Sequence, residues 1–263
     1  MIETKKPKVT LVTATENPLL AIAVAVSAWH KKGSIIDDKL FDKDYQIECF
    51  GKVLKAPHKT ALEYVKCVFV IENVSRAFQQ QLTRTRLAGY SIQSLRVVDI
   101  PDFATNGNYT MPPNLNISQN GIFHKFMVDT EFNYQTLLNN GMLVEDARGI
   151  LPLNVHSNIT FAINLNSLYH MLSQRLCLDT QWEFRQVAMQ IRNQIAIVLG
   201  GIFANPIDCP CKKTGKCLIP DNHCGHQMWN LPEKIKNKLW AMSKKEITNK
   251  QQIKEQLSLF EKE

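Results

Sequence analysis

Val9-Thr-Leu-Val-Thr-Ala14 is apolar and rich in β-branched residues, which predicts a strand. Asn17-Pro18 then opens an alanine- and valine-rich run over 18–31 that predicts a buried helix. The charged stretch from Lys31 to Gln46 predicts a loop and a short helix, and Ile47–Leu54 a further short element. Pro57-His-Lys-Thr60 reads as a cap or turn, followed by a Val/Ile-rich strand over Glu63–Ile71. Ser75 has the chemistry to cap a helix running to Leu82. Asp99–Gln119, rich in Pro and Asn, predicts irregular chain. Ile122, Phe123, Phe126, Met127, Phe132 and Leu137 fall near helical spacing, so a long helix is expected over 122–139, ended by Asn139-Asn140-Gly141. A short helix closed by Pro152, a strand over Asn158–Asn164, and one or two helices over Ser167–Gly200 follow. No repeat of solenoid length is present. The pattern predicts an α+β fold with a mixed or antiparallel-leaning sheet and flanking helices.

The chain has 263 residues, enough for one large or two small domains with a sizeable core. Hydrophobic content of 44% and charged content of 21% are those of an ordinary globular protein. A formal charge of +7 suits an anionic partner but does not choose between nucleotide, nucleic acid and acidic surface. No stretch reaches the roughly 18 apolar residues of a membrane span, and the polar N-terminus lacks a signal-peptide core. A cytoplasmic location is therefore expected, where the seven cysteines are thiols or metal ligands rather than disulfides. Four segments are expected: a basic leader (1–8), a main domain (9–203), a Cys-rich loop (204–231) and a charged helical tail (232–263).

Two patterns carry candidate chemistry. Arg84, Arg86, Ser94 and Arg96 lie within 13 residues. Two guanidiniums on extended chain two residues apart point the same way, and their donor forks suit phosphate. A solvated basic face explains them equally well when they are taken alone. Cys209, Cys211, Cys217 and Cys224 fall within 16 residues, with His223 and His226 beside the last. Four thiolates at this range can close a tetrahedral Zn2+ site; an iron–sulfur cluster and redox thiols are the other readings. Cys49, Cys67 and Cys177 are expected to be packing residues.

Three blocks, in order, resemble the flavin-dependent thymidylate synthases. The first, Pro57-His-Lys-Thr60-Ala-Leu-Glu63-Tyr, is similar to that family's His-x-Thr-x-x-Glu segment. The second is Arg84-Thr85-Arg86, seven residues, then Ser94-Leu95-Arg96, against a signature of Arg-His-Arg, seven residues and Ser. The third is Ala147-Arg148 to Asn154, then Asn164-Leu-Asn166-Ser167-Leu-Tyr-His170, Arg175 and Gln181-Trp182-Glu183. The resemblance covers about residues 9–200. It implies one-carbon transfer to C5 of dUMP, with FAD as cofactor, methylenetetrahydrofolate and NADPH as cosubstrates, and a homotetramer. It also implies that Gln81, Arg84, Ser94, Leu95, Arg96 and Arg148 hold the nucleotide, with Ser94, Leu95 and Arg96 wrapping it from a neighbouring subunit. Arg175 falls at the arginine beside the pyrimidine, where a fixed cation favours the N3 anion and makes C5 more nucleophilic. Ser27, Thr60, Glu63, Arg86, Asn164, Asn166 and His170 fall on the flavin side.

Four positions depart from the family pattern. Thr85 stands for the signature histidine, Ile92 for an acidic residue, Asn166 for an arginine and His170 for an asparagine. All four belong to the flavin side or its boundary with the nucleotide, while the phosphate set is intact. Besides thymidylate synthesis, hydroxymethylation of dUMP or dCMP is consistent with such changes. From another class, a non-catalytic nucleic-acid-binding protein using the basic surface and a zinc loop is the rival.

Overall fold

The computed structural model describes residues 3–210 of the chain. Its centre is a four-stranded sheet in the order β1 (Lys8–Ala14), β2 (Lys66–Ser75), β4 (His156–Asn164), β3 (Ala88–Ile92), and every neighbouring pair is antiparallel. The period-2 pattern of the strands explains their one-sided burial. Cys67, Phe69 and Ile71 of β2 and Ile159, Phe161 and Ile163 of β4 point into the main core, whereas Asn158, Thr160 and Ala162 are exposed. Helices α1 (Pro18–His30), α2 (Lys43–Lys55), α6 (Leu165–Arg175) and α7 (Trp182–Val198) contribute buried residues to that same core.

Edge strand β1 is secured by α7. The Val9 and Leu11 amides each donate to a glutamine carbonyl, of Gln190 and Gln194, both at 3.1 Å. These glutamines are four apart and share one helix face, so they occupy edge donors that would otherwise be open for pairing. The leader is tied down ahead of the strand: the Lys5 amide donates to the Gly107 carbonyl, and Gln190 to the Pro7 carbonyl.

Strand β3 was not expected, and β2 begins at Lys66 rather than at Glu63; local capping accounts for the differences among the helices. A loop with a short helix over 31–46 and a separate short element over 47–54 were expected, yet α2 is one helix that begins at Lys43, where the Asp42 side chain accepts from the Asp44 amide. Helix α4 spans Ile117–Asn139, one turn longer than the apolar pattern implied, through a reciprocal capping box between Asn116 and Gln119. The run after Ser167 is two helices, α7 starting afresh where the Gln181 side chain accepts from the Phe184 amide. Helix α3 (Arg76–Leu82) is capped by Ser75, as its sequence predicts. Two single-turn helices, α5 (Val144–Ala147) and α8 (Gly201–Ala204), complete the set.

The irregular segment before α4 has its own small core of Leu95, Phe103, Ala104, Tyr109, Met127 and Val155. It is fastened by the buried Glu131 carboxylate, which accepts from the Ala104 and Thr105 amides and from the Thr105 hydroxyl. Of the cysteine cluster only Cys209 lies among the described residues. Cys211, Cys217, Cys224 and the 232–263 tail lie outside them, and among the described residues no group of side chains is arranged to hold a metal ion. No described helix is long and apolar enough to cross a membrane.

Candidate active site

A cleft of about 460 Å3 opens between the arginine turn and one face of α6. The turn follows from the end of α3: the Arg84 amide donates to the Gln81 carbonyl and the Thr85 amide to that of Leu82, so the chain reverses before β3 begins. Tyr90, stacked on Phe161 with ring centroids 5.4 Å apart, directs its hydroxyl at the carbonyls of Leu82 (2.9 Å) and Thr85 (2.6 Å). The phenol thus holds both flanks of Arg84. Burial raises its pKa.

The opposite wall has a sequence rule. Asn166, His170 and Gln174 are four apart, as are Ser167, Met171 and Arg175, so all six share one side of α6 and line the cleft. Asn164 starts that helix by accepting the Ser167 amide at 2.8 Å. Asn166 donates to the Glu63 carboxylate at 3.1 Å, which ties the turn Thr60–Tyr64 to the same wall. Arg175 is half-buried with its guanidinium 4.6 Å from the centre of the Phe184 ring, and burial lowers its pKa. Arg84 and Arg86 face this wall from the turn.

A second basic group stands outside the cleft lining. The Arg96 guanidinium forks onto the Glu145 carboxylate at 3.0 and 2.7 Å, and Arg148 Nε donates to the Glu145 carbonyl at 3.0 Å. Arg76, at the start of α3, is half-buried; burial, then the charge of Arg148 nearby, lowers its pKa. Ser94 Oγ accepts the Arg96 amide at 3.3 Å, while the Leu95 side chain is buried in the small core.

The fold brings Arg84, Arg86, Asn166, His170 and Arg175 together, with Thr60, Glu63 and Asn164 behind them through the Asn166–Glu63 bond and the α6 cap. It puts Ser94, Arg96 and Arg148 in the second group. Gln81 lies on α3 and donates to the Ala77 carbonyl at 3.5 Å. Ser27 stands apart, in a different cleft, with Oγ 3.4 Å from the Tyr45 hydroxyl. Thr85, Asn166 and His170 all line the main cleft, whereas Ile92 packs against the main core.

Three contributors escaped the sequence reading. Arg76 was legible only as the residue after a capping serine. No strand was expected over Ala88–Ile92, so nothing marked Tyr90 as the side chain that holds the turn. Glu183 was quoted for its block, yet its role is to accept from the Ser75 amide (2.7 Å), the Ser75 hydroxyl (2.6 Å) and the Thr110 hydroxyl (3.2 Å) while fully buried. It thereby anchors the start of α3, the helix that leads to Arg84.

Guanidiniums in a cleft can neutralise phosphate oxygens, and an amide and an imidazole add hydrogen-bonding groups for a heteroaromatic ring. Known proteins are similar over this region. Residues 10–199 match the family model described as thymidylate synthase complementing protein. A flavin-dependent thymidylate synthase from Nitratidesulfovibrio vulgaris is 31% identical over 228 residues, 81% of this chain and 91% of the relative. One from Pyrococcus abyssi is 33% identical over 194 residues, covering 72% and 79%. Among solved structures, thymidylate synthase X from Helicobacter pylori with FAD and dUMP superimposes with a TM-score of 0.61 at 18% identity, covering 76% of this chain and 99% of that one. A UMP/dUMP methylase, PolB, from Streptomyces cacaoi bound with 5-Br dUMP gives 0.65 at 20% identity, covering 78% and 96%. At these identities the two structures speak to the fold.

Proposed function

The chain belongs to the family of the flavin-dependent thymidylate synthases, and from that premise we propose that it transfers a one-carbon unit to C5 of dUMP with FAD as cofactor. The observation that carries this reading is the cleft itself, where Arg84 and Arg86 face Asn166, His170 and Arg175 across one opening. Its donors fit a flavin: cationic forks for phosphates, and an amide and an imidazole for ring carbonyls and nitrogens. Arg84 binds the nucleotide phosphate. Arg175, held over Phe184, keeps a cation beside the pyrimidine, favours loss of the N3 proton and raises electron density at C5. Asn166 and His170 orient the flavin, which when bound and reduced supplies the hydride. Methylenetetrahydrofolate is the one-carbon donor and NADPH the reductant in this reading.

The second arginine group binds nucleotide from a second copy. Support comes from its separation from the cleft lining, and from exposed apolar side chains such as Leu87, Val97 and Leu143 near the two groups in sequence. We take the assembly to be a homotetramer, the location to be the cytoplasm, and Cys209, Cys211, Cys217 and Cys224 to hold a structural Zn2+.

The test is direct. Purified protein should bind FAD, and dUMP supplied with methylenetetrahydrofolate, NADPH and FAD should gain the mass of one CH2, as a methyl group replaces the hydrogen on C5. Because Thr85, Asn166 and His170 alter one cleft together, hydroxymethylation is the second reading; mass spectrometry separates it as the 5-hydroxymethyl nucleotide. Reaction of dCMP alone would exclude both uracil readings. Failure to bind supplied FAD, with tight DNA or RNA binding instead, would point to the non-catalytic rival.

A further inference from the structure

The second arginine group carries more positive charge than the chain around it balances. Among the described residues, only one of its three guanidiniums meets a carboxylate: Arg96 donates Nε and one Nη to Glu145. Arg148 donates Nε to the main-chain carbonyl of Glu145, a neutral acceptor, which orients its guanidinium and leaves both Nη groups for another partner. The Arg76 side chain has no acceptor at all among the described residues. Its backbone, in contrast, is fixed on both sides. The Ser75 amide donates to Glu183 at 2.7 Å, and the Arg76 and Ala77 amides donate to the carbonyls of Val155 (3.1 Å) and Leu153 (3.0 Å). The first turn of α3 is thereby docked on the chain that follows Arg148, and the Arg76 guanidinium is held half-buried within reach of the Arg148 charge.

This arrangement is uphill for the free chain. A guanidinium that has lost part of its water, beside a like charge and with no acceptor, is stabilised when an anion lies between the two forks. Glu145 is not that anion, because its carboxylate is turned to Arg96. We propose that Arg76 is a phosphate-binding residue: with Arg148 it forms a two-cation seat for the monophosphate of the nucleotide, while Arg96, engaged by Glu145, borders that seat. Two unpaired guanidinium charges match the charge of about −1.5 to −2 that a phosphate monoester carries at neutral pH. Each fork can offer paired N–H donors to phosphate oxygens. This inference rests on the nucleotide reading above.

Two measurements on the full-length protein, as the natural chain and as Arg76→Gln, test it: calorimetric titration with dUMP and with deoxyuridine, which lacks the phosphate, and thermal melts without nucleotide. Arg76→Gln should weaken dUMP binding about ten- to a hundredfold, the scale of one lost charge-assisted contact. Deoxyuridine binding should stay as it was. The same substitution removes a desolvated charge from beside Arg148, so the melting temperature of the free protein should rise by about 1–3 °C. An arginine that only supported the fold would move both readouts together, with weaker binding and a lower melting temperature. Unchanged dUMP affinity overturns the proposal, as does an equal loss for deoxyuridine or a variant that melts lower than the natural chain. If the natural chain itself binds no dUMP, the nucleotide reading fails first, and the seat loses its ligand with it.

Discussion

Arg175 and Cys177 are two residues apart in sequence and opposite in chemistry. The guanidinium lines the cleft over Phe184, and the thiol is buried. Arg175→Ala should lower turnover by about a hundredfold, the scale of one lost electrostatic stabiliser, while Cys177→Ala leaves it near that of the natural chain. Equal losses in steady-state assays would mean the site is misplaced. His156 makes a pH prediction. Burial, reinforced by the charge of Lys5, lowers its pKa from 6.5 to about 4. The unfolded chain therefore takes up this proton at a higher pH than the folded one does. The stabilisation is complete above the unfolded value and is lost as pH falls towards the folded one, on the order of 3 kcal/mol in all. Thermal melts between neutral and mildly acidic pH should show this slope, and His156→Gln should flatten it.

At the scale of elements, the start of α3 is the joint on which the arginine turn depends. Ser75 gives its hydroxyl proton to Glu183 and accepts the Phe78 amide at 2.9 Å, so one serine caps the helix and docks it on α7. Glu183→Ala would leave buried donors without an acceptor and should cost about 2–4 kcal/mol in urea denaturation. Glu183→Gln, which keeps one acceptor, should cost clearly less. A linker of the same kind appears at Gly107, whose φ is +65° and where an added Cβ would lie 2.5 Å from the Glu3 carbonyl oxygen. Gly107→Ala should loosen residues 3–7, read as faster amide exchange at Lys5.

At the scale of the whole molecule, the two arginine groups on one chain argue for a site completed between copies. Arg84→Ala and Arg148→Ala should each be nearly inactive alone. Mixed and reassembled, they should regain activity, because some sites then receive an intact group from each chain. No recovery, in a mixture shown to exchange subunits, would mean that each chain carries its own complete site. Metal analysis of the full chain should find zinc in proportion to protein and a clear loss in Cys211→Ser. Full zinc retention in that variant would remove the cysteine cluster from consideration.

Local chemistry made much of this protein legible before any coordinates. Ser75 reads as a cap because its hydroxyl can meet a free helix amide, and β2 and β4 read as strands because period-2 burial leaves a period-2 sequence. The arginine pair, Arg148 and Arg175 could be picked out by type, spacing and family pattern. The start of α4 at Ile117 was missed because the Asn116–Gln119 capping box outweighs weak apolar periodicity, and α2, which Asp42 starts at Lys43, was split into two short elements. Contacts made across the chain were beyond reach. That Glu183 lies buried under Ser75, that Tyr90 grips the turn, and that Arg96 pairs with Glu145 all depend on segments distant in sequence meeting in space. The same holds for the four departures. In the sequence Thr85, Ile92, Asn166 and His170 are equal substitutions. The fold separates Ile92, which packs on the core, from the other three, which share one cleft.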